Sequence, residues 1–165
     1  MKKRSFSVLL AASVLVSACG FQLRQAPSFA FSSIYVAAPP GSAVGRELKR
    51  SIVSGGGVSV VEAPQLDPGQ VVLDVLAEQR EKVVVGLSAS GQVREFQLRT
   101  RVRFRLKTPL GKELIPDTEL LQQRDISFSE SAVLAKEAEE NLLYRDMQTD
   151  IVQQLMRRLA AVKTL

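Results

Sequence analysis

The chain has 165 residues, 45% hydrophobic and 24% charged, an ordinary composition for one globular domain with a formal net charge of +5. It contains no histidine, no tryptophan and one cysteine, Cys19. An intramolecular disulfide, a His/Cys zinc site and catalysis that leans on His as acid or base are therefore excluded.

Residues 1–18 have a cationic start (Lys2, Lys3, Arg4), an apolar run from Phe6 to Val16, and small residues before Cys19. This is the build of a secretory signal sequence, expected to be removed. The apolar run falls well short of the roughly 20 residues a membrane-spanning helix needs. Removal changes the charge: 22 Lys and Arg less Lys2, Lys3 and Arg4 leaves 19 against 17 acids, or +2. Val16-Ser17-Ala18-Cys19 resembles the bacterial lipoprotein processing box. That resemblance implies a diacylglycerol on the Cys19 thiol and an N-acyl chain on its new amino group. Each buried methylene adds about 0.8 kcal/mol, so several chains together anchor durably. No cofactor besides these covalent chains is expected. Gly20, where an Asp would signal inner-membrane retention, points by the same resemblance to the outer membrane. Residues 19–32 then form a lipidated tether to a single domain over 33–165.

Within that domain, Ser33–Ala38 reads as a short strand closed by Pro39-Pro40-Gly41. Ser42 is placed to N-cap a helix carrying Val44, Leu48 and Ile52, which ends at Gly55-Gly56-Gly57. The three glycines follow a helix and precede no Gly-Lys-Ser/Thr, so they read as a helix end and not a phosphate loop. Val58–Val61 is another short strand, followed by a loop from Ala63 to Gly69.

Three longer strands follow. In Val71–Lys82 the alternation puts Val71, Leu73, Val75 and Ala77 inward and Asp74, Glu78, Arg80 and Lys82 outward. After a turn at Ser88–Gly91 comes Glu95–Lys107. Its even positions are Phe96, Leu98, Thr100, Val102, Phe104 and Leu106; its odd ones from 99 are Arg99, Arg101, Arg103, Arg105 and Lys107. Same-face neighbours lie roughly 7 Å apart, where unit charges in water repel by about 0.6 kcal/mol. Such a comb needs acids on adjacent strands, or an anionic ligand or partner, opposite it. The outward acids expected nearby are Asp74, Glu78, Glu95, Glu119 and Asp125, which neutralise it incompletely. A strand from about Asp117 to Phe128, with Pro116 at its start, suits a sheet edge, although Gln122 and Arg124 share the parity of Leu120 and Ile126.

Ser131 to about Val162 reads as a long helix with Leu143, Met147, Ile151, Leu155 and Leu159 on one stripe. Ser129-Glu130-Ser131 reads as its cap, and Glu137, Glu139 and Glu140 as charges suited to a helix start. The order β-α-β-β-β-β-α implies an α+β two-layer sandwich, a mixed sheet with two helices on one face and the cationic face bare. Nucleic acid is not expected on that face, because Phe96 and Phe104 have the opposite parity to the arginines. No enzyme reading survives, since the serines have no visible base.

Several stretches resemble the LPS-assembly lipoprotein family LptE of Gram-negative bacteria. Cys19-Gly20-Phe21-Gln22-Leu23-Arg24 is similar to its opening; Gly91-Gln92 with Glu95-Phe96-Gln97-Leu98 is similar to its segment after the hairpin. Leu134-Ala135-Lys136 and Gln154–Leu159 are similar to its last helix. The resemblance implies a periplasm-facing outer-membrane lipoprotein that plugs and helps assemble the LptD β-barrel and binds lipopolysaccharide. It places Lys136 where the family has a basic residue for lipopolysaccharide contact. The family's second such residue lies at the hairpin tip, where this chain has Ser88-Ala89-Ser90; Arg94, Lys82 or the comb (Arg99, Arg101, Arg103) is the candidate replacement. Two other readings compete: a carrier that shields an acyl chain in an apolar cavity, and a purely structural lipoprotein of an outer-membrane complex.

Overall fold

The computed structural model describes residues 28–67 and 69–165; the expected signal sequence, Cys19 and most of the expected tether lie outside the described residues. Strand β1 (Ser33–Ala37), helix α1 (Ala43–Gly55), strands β2 (Ser59–Val61), β3 (Gln70–Leu87), β4 (Val93–Lys107) and β5 (Glu113–Ser127) and helix α2 (Val133–Ala161) follow one another in the expected order. They form one mixed sheet, ordered β2-β1-β3-β4-β5. β1 runs parallel to β2 and β3, while β3, β4 and β5 are antiparallel neighbours. β5 is an edge, as its composition implied.

Both helices pack on the face that carries Ile34, Val71, Leu73, Val102 and Phe104. α1 starts where Ser42 Oγ accepts from the Gly45 amide at 2.8 Å and donates to Glu78 at 2.7 Å. Gly45 is required by close approach, since a Cβ there would stand 2.7 Å from the Ala38 Cβ. The helix closes on Gly56 at φ 70, a conformation that favours glycine. α2 buries Met147, Ile151, Leu155 and Leu159 of the expected stripe, leaves Leu143 only partly buried, and adds Tyr144 and Val152. The Ser129 and Ser131 hydroxyls bond each other at 3.0 Å, and neither Ser129 nor Ala132 caps with its side chain, so the expected serine cap is absent.

The sheet departs from simple alternation at Leu76. Val75 stands opposite Phe104 and Ala77 opposite Arg103, so Leu76 is an extra residue in β3. A bulge of this kind leaves one residue unpaired and inverts the odd–even count for everything after it. Ala77, expected inward, lies across from Arg103 on the outer face. Glu78, Arg80 and Lys82, expected outward, pair in register with Val102, Thr100 and Leu98 on the helix side. A second irregularity lies in β5, where Arg105 faces both Pro116 and Asp117 between the pairs Phe104–Thr118 and Leu106–Ile115. Pro116 is therefore inside the strand and not at its start; the edge tolerates it because no further strand needs its amide.

The core is divided. A large cluster built around Phe104, Leu106, Ile151, Leu155 and Leu159 fills one end, and Leu98, Ile126, Tyr144 and Met147 fill the hairpin end. Between them runs a polar belt in register: Arg80, Thr100 and Gln122 across the strands, with Gln148 and Asp150 on α2. Arg80 donates to Gln148 at 2.8 Å, Gln148 to Glu47 of α1 at 2.5 Å, and Arg124 to Asp150 at 2.7 Å. Arg124 also donates to Gln122 at 3.3 Å, so the awkward parity of the two residues is met by Asp150 on the helix and by their contact with each other.

Candidate functional site

The cationic candidates fall on opposite faces of the sheet. Arg99, Arg101, Arg103, Arg105 and Lys107 share the outer face of β4, and most are answered by acids of this chain. Arg103 forks onto Asp117, Arg101 lies 3.7 Å from Glu119, and Asp74 takes both Arg105 at 2.7 Å and Lys107 at 2.9 Å. Burial alone would push the Asp74 carboxyl up. Hydrogen bonds and charge from Lys107 and Arg105 outweigh it and hold the group below the usual carboxylate range. The hydrogen bonds that Arg103 donates to Asp117 and Arg105 donates to Asp74 raise the pKa of each guanidinium above its ordinary value. Arg99 differs: its Nε donates to the neutral Gln97 at 2.8 Å, and it makes no ion pair among the described residues. Glu78, counted as an outward acid, is instead the Ser42 partner on the helix side.

At the hairpin end the structure brings two other candidates together. Lys82 and Lys136 line one small cleft of ≈ 80 Å³, with Phe96, Phe128, Val133, Glu137 and Glu140. The Lys82 ammonium sits 4.4 Å from the centre of the Phe96 ring and 2.6 Å from Glu140. A cation over an aromatic face gains about 0.5–2 kcal/mol, more as water is excluded. Lys136 donates to Ser127 at 2.9 Å and pairs with Glu139 at 2.9 Å. Glu139 and Glu140 are therefore partners of the two lysines, a role their place near a helix start did not reveal. Arg94 is exposed at the start of β4, and its carbonyl accepts from Phe128, a residue of the cleft wall.

The surround of this cleft is apolar. Val84, Val85, Leu87, Val133 and Leu134 are all exposed at the same end, Leu134 at 82%. β3 runs on past Lys82 to Leu87, so the hairpin is longer than the sequence pattern suggested; Val84, Val85 and Leu87 lie on it, and Val133 and Leu134 open α2. Ammonium groups with aliphatic neighbours make a surface for an amphiphile that carries phosphate next to hydrocarbon. Among the described residues there is no cluster of three acids, His or Cys that could hold a metal ion.

Residues 31–159 match the LptE, lipopolysaccharide-assembly, family model. The chain belongs to that family. Membership gives it a role in lipopolysaccharide assembly. The LPS-assembly lipoprotein LptE of Pectobacterium atrosepticum is 25% identical over 98% of this chain and 88% of its own. Among solved structures, lipoprotein B from Nitrosomonas europaea is 38% identical, with a TM-score of 0.74 over 86% of this chain and 91% of that one. Rare lipoprotein B from Shewanella oneidensis, at 21% identity and TM-score 0.66 over 79% of this chain and 95% of that one, shares the fold. The α+β sandwich with helices on one face is thus the architecture of the LptE-like lipoproteins.

Proposed function

We propose that this chain is a lipoprotein of the outer membrane, anchored through acyl chains on Cys19 and facing the periplasm. There it plugs the LptD β-barrel, helps the barrel assemble, and binds lipopolysaccharide on its way to the cell surface. One observation carries the binding part: Lys82 and Lys136 line a single cleft beside exposed aliphatic residues of the hairpin end. Lipopolysaccharide has phosphates adjacent to acyl chains, and both elements have a counterpart there. Glu139 and Glu140 hold the ammonium groups in place; a phosphate joins or replaces them as a bidentate acceptor.

The plug reading draws on the outer face. A barrel lumen is polar, and a plug needs an exterior whose charges are already satisfied. Four of the five comb cations meet acids of this chain, which gives a charged surface at little electrostatic cost. Arg99 and Arg94 are the further groups open to an anion or to the barrel wall, whereas Arg101 and Arg103 first have to leave Glu119 and Asp117. The carrier reading fares worse, because Phe104, Leu106, Ile151 and Leu155 are fully buried and fill the space between sheet and helices.

The test is direct binding of purified lipopolysaccharide to the purified protein. Lys136→Glu and Arg94→Glu, singly and together with Lys82→Glu, should weaken binding at least several-fold while circular dichroism stays native. Undiminished binding by the triple variant refutes the site. Recovery of the tagged protein from detergent-solubilised membranes without a large β-barrel refutes the plug.

A further inference from the structure

An open apolar groove lies at the end of the sandwich opposite the hairpin. Leu66 in the β2–β3 loop and Leu110 in the β4–β5 turn border it, 82% and 86% exposed, together with Pro109 and Leu165. A lone exposed leucine needs no explanation, but two from separate loops around one hollow do. The groove measures ≈ 340 Å³. About 150 Å³ admits a benzene-sized ring, so a phenyl ring and an aliphatic side chain fit together. Its charged members are engaged at home: Lys112 donates to the Leu165 main-chain oxygen at 3.0 Å, and Asp67 accepts from the Gly69 amide at 2.9 Å. The apolar wall is left to receive a side chain.

The chain enters the domain at this same end. Ser32 and Ser33 donate their amides to the Gly69 carbonyl at 3.0 and 3.3 Å, in the loop that carries Leu66. The Phe29 and Phe31 rings lie 5.2 Å apart and pack into the large core cluster, against which Leu165 also packs. Five Cα steps take Leu23 at most about 18 Å from Ser28, and seven take Phe21 at most about 25 Å. Both reach the groove. Phe21 and Leu23 are apolar, while Gln22 and Arg24 between and after them are polar. In an extended segment residues i and i+2 share a side, roughly 7 Å apart. One side of this stretch is therefore a ring and a branched aliphatic chain, and the other is polar.

We infer that the groove is the seat of the chain's own N-terminal segment, with Phe21 and Leu23 lying against Leu66, Leu110 and Leu165. A segment joined to the domain by a few residues is present at a high effective concentration, an advantage no outside apolar partner has. With the ring seated, Gly20 alone separates it from Cys19. The lipid anchor proposed above then leaves from a fixed point on the rim of the groove and not from a free leash. The seating concerns the domain and its own leading segment. It depends neither on the acylation of Cys19 nor on the plug reading.

The test measures how fast a thiol in the groove is alkylated. Leu110→Cys, in the full protein purified in mild detergent, is treated with a maleimide, and mass spectrometry follows the peptide that contains residue 110. The state of Cys19, the one native cysteine, does not enter that reading. Adding Phe21→Ser and Leu23→Ser should raise the rate at 110 several-fold and leave the rate of an Ala89→Cys thiol at the hairpin tip unchanged. Leu66→Cys repeats the measurement with Leu110 in place. No acceleration at either groove position refutes the seating. Protection that fades on diluting the protein means that a second copy covers the groove, and protection that follows the detergent concentration means that the micelle does; both overturn the inference. An unacylated residue 19 in the same spectra refutes the anchor and leaves the seating untouched.

Discussion

The divided core makes Tyr144 a hinge between two levels of stability. Its ring, only 9% exposed, closes the small cluster of Leu98, Ile126 and Met147 at the hairpin end. Its hydroxyl donates to the Glu81 carbonyl at 2.9 Å. That carbonyl belongs to the part of β3 beyond Asp74, where β1 has ended and the strand has no neighbour on that side. Tyr144→Phe keeps the ring, and the Arg80 guanidinium 5.3 Å above it, while removing one hydrogen bond. The expected cost is about 1 kcal/mol, because the half-exposed Glu81 can take water in exchange. Tyr144→Ala empties the cluster, and the expected cost is about 3–5 kcal/mol. Urea unfolding followed by circular dichroism gives both values. Hydrogen exchange then locates the loss: in the Ala variant, amides of Glu81–Leu87 and Val93–Leu98 should exchange well before those around Leu73 and Phe104. Equal costs for the two substitutions would show that the hydroxyl, not the ring, holds this end. Uniform loss of protection would show that the polar belt does not separate two units.

Two further outcomes follow from the sheet. Asp74 has a folded pKa below its unfolded one, so its stabilising contribution is fully present above the ordinary carboxylate range and is lost as pH falls through the folded value. Wild type should therefore exceed Asp74→Asn in urea midpoint at neutral pH, with the gap closing as the pH falls below the ordinary carboxylate range; a constant gap refutes the linkage. Leu76 is an extra residue between pairs that would otherwise be contiguous, and its deletion leaves every later partner across β4 unchanged. The deletion variant should fold and retain a zero-length carbodiimide cross-link between Lys82 and Glu140; a folded variant without that cross-link refutes the bulge as the cause of the facing.

What the chain discloses before folding is whatever depends on local period. Val44, Leu48 and Ile52 specify α1, and the alternation of β4 specifies its two faces, because no irregularity intervenes in either. The same counting fails in β3, since one unpaired residue at Leu76 is invisible to a period-two pattern and inverts Glu78, Arg80 and Lys82 together. It fails again before Pro116, where the irregularity pairs odd-numbered Ile115 with the inward Leu106 although Glu119 and Leu121, of the same parity, face the arginines. Lys82 was legible as a cation but not as a cleft residue. Its partner Glu140 is 58 residues away, and only the tertiary fold brings them to 2.6 Å. Conversely, Leu66 and Leu110 lie in segments that read as turns, where an apolar side chain carries no periodic signal.

These corrections alter where an anion is best received. A phosphate approaching Arg103 or Arg105 must displace Asp117 or Asp74 from charge-assisted hydrogen bonds already made within the sheet. On the outer face, Arg99 alone among the comb cations escapes that competition among the described residues, and one guanidinium beside a neutral glutamine is a weak attractor. At the hairpin end the partners of Lys82 and Lys136 are carboxylates on α2, outside the ladder that holds the sheet together. Displacing them costs no strand register and leaves the core intact. Hydrocarbon bound next to the phosphate would moreover cover Val84, Val85, Leu87 and Leu134, so burial of apolar surface adds to the ionic contact there. The outer face offers less of this, with Leu121 paired against Arg101 and the bulge residue Leu76 as the large exposed apolar side chains of the long strands near the comb. Charge alone would favour the arginine-rich face; charge together with what already occupies it favours the lysine cleft.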